Sequence, residues 1–409
     1  MTDGEPLKVL VVGGGIAGLE ALLALSDLAA GRVDLTLASP DPEFVYKPLT
    51  VEEPFSPARA DRLELAPIAE ELGARFVQRG ITRFNPADHT AELTGGEELA
   101  YDAAVVCVGA RARPPFGCAS TLEVSGPALP IDGLLRAAAE HASRRIAFVV
   151  PPGIAWSLPI YELALMSARR ARKLGLTVHC LIVTPESAPL IMFGPIASEA
   201  VAGVLRARGI EMDAGSWARE EGGGLVLGPG DRPLEAGALV ALPVLEGRAI
   251  PGLPADERGF LPIDEHARVR GAEDVYAAGD GTNFPIKQGG LGTQQADAAA
   301  EHIAAKAGAS VRPEPFHPVL RGQLITGVES LNLRTDVGGG GGEGVASEDY
   351  LWWPPHKVGG LYLAAWMAGQ APRDDLEPPG VPLDVEISLP RKWYAQPMAL
   401  DPYERLDTP

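Results

Sequence analysis

The chain has 409 residues, 46% hydrophobic and 22% charged, which suits two or three folded domains and excludes a disordered chain. A formal net charge of −19 argues against nucleic acid, whose phosphates require clustered Lys and Arg, and against docking of the whole molecule on anionic lipid. Its three cysteines, Cys107, Cys118 and Cys180, form neither a CxxC pair nor a disulfide framework. MTDGEPLKVLVV has no basic leader, and no apolar run reaches the ~18 residues of a membrane span, so a cytoplasmic location is expected.

In chain order, Lys8–Val12 reads as a strand, Ile16–Leu28 as a helix and Leu35–Ala38 as the next strand, a βαβ unit. Between them VLVVGGGIAGLEALLAL places G-x-G-x-x-G at Gly13, Gly15 and Gly18. The pattern is informative because it follows a strand and opens a helix. Gly13 permits the turn, Gly15 lets backbone approach a pyrophosphate, and Gly18 lets helix and strand pack closely. The amides of Ile16 and Ala17 at the helix N-terminus face the same phosphates. The second strand departs from the pattern: Ser39 stands where an acid usually takes the ribose, and Ser39 or Asp41 is the candidate to substitute there.

Residues 75–108 read as short strands in a small antiparallel meander that returns to the main sheet. A second α/β unit follows: strand 146–150, helix 160–174, strand 177–183 and helix 196–208, then an irregular Gly-rich stretch. Strand 275–278 and the Ala-rich helix 294–306 return to the first unit. Residues 320–326 and 330–335 read as paired strands, and Gly338–Gly342 as a flexible loop. The fold class expected is α/β, with two Rossmann-like three-layer dinucleotide-binding domains. The first is discontinuous, over residues 1–114 and 255–310. The second spans 115–254, and residues 311–409 form a C-terminal extension that completes a cofactor pocket or a dimer interface.

Two further segments carry chemistry. YDAAVVCVGARARP ends a strand at Val108, Gly109 and Ala110 and resembles the "ATG" segment of two-domain flavoprotein reductases. VYAAGDGTNFPIKQGGLG resembles their "GD" segment, with Gly279 and Asp280 at the ribityl chain. Together with the first glycine loop these marks resemble the FAD-dependent pyridine nucleotide-disulfide reductase-like superfamily. Within it they resemble most the sulfide:quinone oxidoreductases, flavocytochrome c sulfide dehydrogenases and type II NADH dehydrogenases. FVYKPLTVEEPF is similar to the aromatic-x-Pro loop of that group, which implies Tyr46, Lys47 and Pro48 as flavin neighbours. The resemblance covers about residues 7–310 and implies FAD. A helix starting near Gly292 then points its positive end at the flavin. Lys287 either adds charge there or is a solvated surface lysine.

At the start of the second domain IAFVVPPGIAWSLPIYELA keeps the strand and helix but only Gly153 of the glycines. Pro151 and Pro152 contribute no N–H, and Trp156 crowds a pyrophosphate, so standard NAD(P)H binding is not expected. The segment resembles the Pro-x-Tyr-Glu stretch of the sulfide-oxidising branch, with Trp156 and Ser157 where those enzymes place a reactive cysteine. Cys118 is left as the one candidate reactive thiol, and Cys107 and Cys180 read as strand-buried. Glu186 stands at the ribose position of the second domain but lacks its glycine loop. Gln294 and Gln295 either line an acceptor pocket or sit on a helix surface. No metal site is read from the histidines. Leu361–Met367 reads as a packed helix rather than a membrane contact, and a homodimer is left open.

The function expected is FAD-dependent electron transfer between small molecules, from an unassigned donor to a quinone-like or other small acceptor. Three alternatives stay open: an NAD(P)H-dependent quinone reductase with a non-standard nucleotide site, a sulfide oxidoreductase-like protein without the usual cysteines, and a non-catalytic redox-responsive flavoprotein. No catalytic acid, base or nucleophile is assigned.

Overall fold

The computed structural model describes residues 5–56, 60–122, 128–154, 156–336, 344–372 and 376. β1 (Leu7–Val12) leads into α1 (Ile16–Leu28) and β2 (Val33–Ala38), with β1 and β2 parallel from Leu7↔Val33 to Val12↔Ala38. Val9–Val12 are buried on both faces, which is why β1 is a continuous apolar run rather than an alternating one. β3 (Glu43–Val45) pairs with β4 (Arg62–Glu64) around a 3₁₀ turn at Lys47–Glu52. α2 (Leu65–Glu71) precedes β5 (Arg75–Val77), which joins β2 in the main sheet. β6 (Ile81–Asn85), β7 (Thr90–Leu93) and β8 (Glu98–Ala100) form the expected antiparallel meander, and β9 (Ala103–Val106) returns beside β1.

β10 (Arg111–Arg113) leaves this unit. A second parallel sheet follows from β11 (Ser120–Thr121), α3 (Ile131–Glu140), β12 (Arg145–Val149), α4 (Leu158–Lys173), β13 (His179–Thr184), α5 (Pro195–Arg208) and β14 (Glu211–Ala214). β15 (Trp217–Glu221), β16 (Gly224–Gly228) and β17 (Arg232–Pro233) make an antiparallel ribbon. β18 (Ala238–Ala241) then enters the sheet, in the order β11-β18-β12-β13-β14. The helices cover one face of this sheet. The ribbon covers the other, through Ala218, Leu225 and Leu227 against Val149 and Val183. β19 (Val244–Glu246) pairs with β10, and β20 (Val275–Ala277) completes the first sheet as β20-β9-β1-β2-β5, all parallel. The α/β class with two Rossmann-like sheets is as the sequence predicts.

α6 (Gly289–Lys306) packs along α1, and this second apolar neighbour explains why α1 is buried nearly all round. β21 (Val319–Ile325), β22 (Ser330–Asp336) and β23 (Val345–Ser347) form an antiparallel sheet, and α7 (Leu363–Met367) follows. Leu320, Leu324 and Leu333 join the core around α4, and Val358 and Leu363 join the core around α1. The C-terminal part therefore packs on both units.

Three expectations are corrected. The stretch after residue 208, read as irregular, contains β14 to β19; its short strands and frequent glycines conceal them. α3 was not foreseen. α6 begins five residues earlier than residue 294, at Gly289, because glycines fill its first turn and Gln288 supplies the N-cap, accepting from the Leu291 amide at 2.8 Å. Gly338–Gly342 lie outside the described residues.

Candidate functional site

A cleft of about 860 Å³ runs across the carboxyl ends of β1, β2, β9 and β20, where open α/β sheets bind ligands. Gly13, with φ of +104°, turns out of β1, and its amide donates to the Ala38 carbonyl at 2.8 Å. A Cβ there would sit 2.4 Å from the Cys107 carbonyl oxygen, so only glycine lets the ends of β1 and β9 lie this close. At Gly15 a Cβ would meet nothing within 4 Å. Gly15, Ile16 and Ala17 line the cleft, and the N-cap Gly15 offers no side-chain hydrogen bond to the first turn. Those amides carry the helix's partial positive charge toward the cavity. Gly18 does not line it. A Cβ on Gly18 would sit 1.8 Å from the Gly13 carbonyl oxygen, so this residue serves helix–strand packing.

Ser39 lies at the end of β2, 2% exposed, and lines the cleft, with the carboxylate residues Asp41 and Glu43 a few positions on. Val108 and Gly109 line it too; Ala110 does not. Arg248 also faces the cleft, and its Nε donates to the Val108 carbonyl at 3.0 Å.

Gly279 and Asp280 follow β20 into the same cleft. The first turn of α6 rests on them: a Cβ on Gly292 would be 3.0 Å from the Gly279 Cα. Burial pushes the Asp280 carboxyl up from its usual range, while the ammonium groups of Lys287 and Lys47 pull it back. Lys287 is no solvated surface lysine. It lines the cleft, donates to the Thr282 carbonyl and stands 3.8 Å over the Phe260 ring. Burial lowers it to about 8, against the opposing pull of Asp280. Lys47 and Pro48 also line the cleft.

Other expected neighbours lie elsewhere. Tyr46 is buried off the cleft, and its hydroxyl accepts from the Val358 amide at 2.8 Å. Gln294 and Gln295 do not line the cavity. Gln295 Oε1 accepts from the Gly279 amide at 2.8 Å, and Gln294 exchanges hydrogen bonds with the Val319 backbone at 2.8 and 2.9 Å. Cys118 is off the cleft beside the Glu220 carboxylate; burial and that negative charge push its thiol up, the reverse of activation. Cys107 lies under the cleft, and burial pushes its thiol, like that of Cys180, up to about 12. Among the described residues, no three His, Cys, Asp or Glu side chains gather as a metal site, and no helix is long and apolar enough to cross a membrane.

Sequence reasoning missed the far end of the cleft. Lys357 Nζ lies 2.8 Å from both carboxylate oxygens of Glu162, which also accepts from the Ile325 amide at 2.9 Å. The pair is 8% and 0% exposed and lines the cleft with Arg321, Gln323 and Val358. Burial raises the Glu162 carboxyl, and Lys357 opposes that rise. Only the resemblance of the Pro159–Glu162 segment pointed toward this region.

From the second parallel-sheet unit Gly153, Ile154 and Trp156 line the cleft, and Trp156 packs on Phe193 with ring centroids 5.9 Å apart. Glu186 is occupied: it accepts from the Tyr161 hydroxyl at 2.7 Å and the Thr184 hydroxyl at 2.9 Å.

Residues 5–141 match the sequence profile of the pyridine nucleotide-disulphide oxidoreductases. The alternative NAD(P)H-ubiquinone oxidoreductase C1 of Arabidopsis thaliana is 24% identical over 337 residues, 70% of this chain and 63% of its own length. An NADH dehydrogenase-like protein of Mycobacterium tuberculosis is 25% identical over 67% of this chain and 72% of its own. The sulfide:quinone oxidoreductase of Aquifex aeolicus superposes with a TM-score of 0.73 at 17% identity, covering 83% of this chain and 86% of that one. The family match spans residues 5–141, and over the rest of the chain the likeness to these proteins is one of distant sequence relatives and of fold.

Proposed function

We propose that the chain holds FAD along this cleft and passes electrons to a quinone-like or other small acceptor, from a donor that does not use a standard NAD(P)H loop. One observation carries the reading: three loops near residues 13, 109 and 279, far apart in sequence, line a single cleft. The amides of Gly15, Ile16 and Ala17 hold the pyrophosphate, and Ser39 and Asp41 take the adenosine end. Asp280 accepts from the ribityl chain. Lys47, Pro48, Lys287, Val108 and Gly109 would hold the flavin ring. The flavin supplies the two-electron chemistry when bound, and the protein orients and tunes it. We assign residues 1–114 and 255–310 to the FAD domain, 115–254 to the second domain and a cytoplasmic location to the whole.

The names of the plant and mycobacterial relatives favour a second reading, an NAD(P)H-dependent reductase. Against it stand Pro151 and Pro152, which lack N–H groups, Trp156 in the loop, and a Glu186 already held by Tyr161 and Thr184. The test is reconstitution with FAD, then anaerobic titration with NADH, NADPH and sulfide. Stoichiometric FAD uptake with no bleaching by NADH or NADPH is expected. Rapid bleaching by either selects the second reading, and a colourless protein that refuses FAD overturns both. Bleaching by sulfide that survives Cys118→Ser would still exclude that thiol from the chemistry.

A further inference from the structure

A second cavity, about 370 Å³, opens between the Lys47–Glu52 turn, the last turns of α4 and the β21–β22 hairpin. Gln323 lines both it and the cleft, so the walls of the two spaces share this residue. The 3₁₀ turn is shared in the same way, with Lys47 and Pro48 on the cleft and Leu49 and Glu52 on the cavity. The cavity therefore lies directly behind the end of the cleft that Lys47, Pro48 and Lys357 mark.

Its walls differ in kind. Leu49, Phe55, Met166 and Ile325 make an apolar side, continued by Val328, which is 61% exposed. The α4 side is cationic, with Arg169, Arg170 and Lys173. Arg170 is matched by Asp132 in a two-point ion pair at 2.6 and 2.7 Å. Among the described residues no carboxylate lies within ion-pair distance of Arg169 or Lys173, and Glu52 is the one carboxylate residue in the cavity wall. Two unmatched cations against one carboxylate leave a single surplus positive charge beside an apolar wall. The chain as a whole carries a net charge of −19, so the sign of this wall is opposite to that of the molecule.

We propose that this cavity docks a small amphipathic monoanion, an apolar body bearing one carboxylate or sulfonate group, and that this ligand is the electron acceptor. The acceptor role rests on the function proposed above; the binding does not. For a quinone, the net exchange is two electrons and two protons from the doubly reduced, doubly protonated cofactor to the two carbonyl oxygens. The products are the hydroquinone and the oxidised cofactor.

The test is calorimetric titration of the full, FAD-loaded chain with naphthalenesulfonate and with neutral naphthalenemethanol. The sulfonate is expected to bind ~10-fold tighter, the scale of one charge-assisted contact. Raising the salt should shrink that preference. Arg169→Ala/Lys173→Ala should equalise the two ligands and leave the flavin spectrum unchanged. Equal affinities in the native protein, a preference indifferent to salt, or one that survives the double substitution overturns the site. A second arm reoxidises dithionite-reduced protein with a sulfonated naphthoquinone and with its unsubstituted parent. The double substitution should raise the half-saturating concentration ~10-fold for the sulfonated quinone alone. Sulfonate binding with unaltered reoxidation removes the acceptor role, whereas failure to take up FAD fails the parent reading instead.

Discussion

The two parallel-sheet units begin with the same strand–loop–helix frame and put it to different uses. In the first, β1 and α1 are joined by Gly13, Gly14 and Gly15, and the loop lines the cleft. In the second, β12 and α4 are joined through Pro151, Pro152 and Trp156; the prolines carry no N–H, and the Trp156 ring packs on Phe193. The comparison teaches that one strand–helix frame can carry loops of opposite backbone character, one rich in free N–H groups and the other poor in them. The helices show a parallel difference. Each carries a buried glutamate that grips the C-terminal part. Glu20 on α1 accepts from the Tyr362 and Leu363 amides at 3.0 and 2.8 Å, while Glu162 on α4 accepts from Ile325 and Lys357. Glu20 is neighboured by another carboxyl, Asp297, and Glu162 by an ammonium.

The largest expected effect falls on the α4 anchor. Glu162→Gln strands the Lys357 charge, which is only 8% exposed, and should cost about 3–5 kcal/mol, read as a lowered midpoint in urea unfolding. The matching change on α1, Glu20→Gln, should cost less, since no charge is stranded. Equal losses would erase the distinction between the two anchors.

Next in size is the glycine loop. Gly15→Ala should leave apo-protein stability unchanged, because its Cβ meets no protein atom within 4 Å, yet weaken FAD binding at least ~30-fold, or about 2 kcal/mol. Fluorescence titration of the apoprotein with FAD measures it. Gly18→Ala should instead lower the apoprotein's own stability, by about 1–3 kcal/mol, since its Cβ would meet the Gly13 carbonyl. If both substitutions behave alike, the separation of phosphate approach from packing is wrong.

A smaller effect is expected at Lys287, which has no cationic counterpart in the second loop. Lys287→Met should lower the two-electron midpoint potential by about 30 mV, equivalent to about 1.4 kcal/mol, by removing charge that favours the reduced flavin. The gap to the native protein should close as pH rises past about 8, where Lys287 loses its proton. A gap constant through that range would place the lysine away from the ring.

The smallest concerns the carboxyl pair. Burial, and for Asp297 the neighbouring Glu20 carboxyl, raise both groups. A raised native value contributes stability that is complete below the ordinary carboxylate range and is lost as pH rises through the native value. Asp297→Asn should therefore stabilise the protein by about 1 kcal/mol near neutral pH and flatten the loss of stability on going alkaline. Thermal unfolding across pH reads this, and an unchanged pH profile would show that the pair does not titrate on unfolding.

What the sequence disclosed follows from how local each feature is. β1, α1 and β2 were legible because an apolar run, a glycine loop and helical spacing sit side by side. The order of the three loops marked the cleft. The anchors were not legible, because Lys357 meets Glu162 across 195 positions and no local pattern announces that meeting. Tyr46 was read toward the ligand, and Gln294 and Gln295 were left between an acceptor pocket and a helix surface, for the same reason: their partners are backbone groups of distant strands and turns. The strands between residues 211 and 246 are short and punctuated by glycine and proline, so periodicity has too few residues to register.

The placing of β20 has a consequence for synthesis. It hydrogen-bonds β9 from Val275↔Ala104 to Ala277↔Val106, so that edge of the first sheet is closed by residues made long after it. A nascent chain must carry an open apolar strand edge while the second unit is being translated, and such an edge invites pairing with other chains. Fragments ending near residue 114 should aggregate, and refolding should be slowed by this closure between distant parts of the chain.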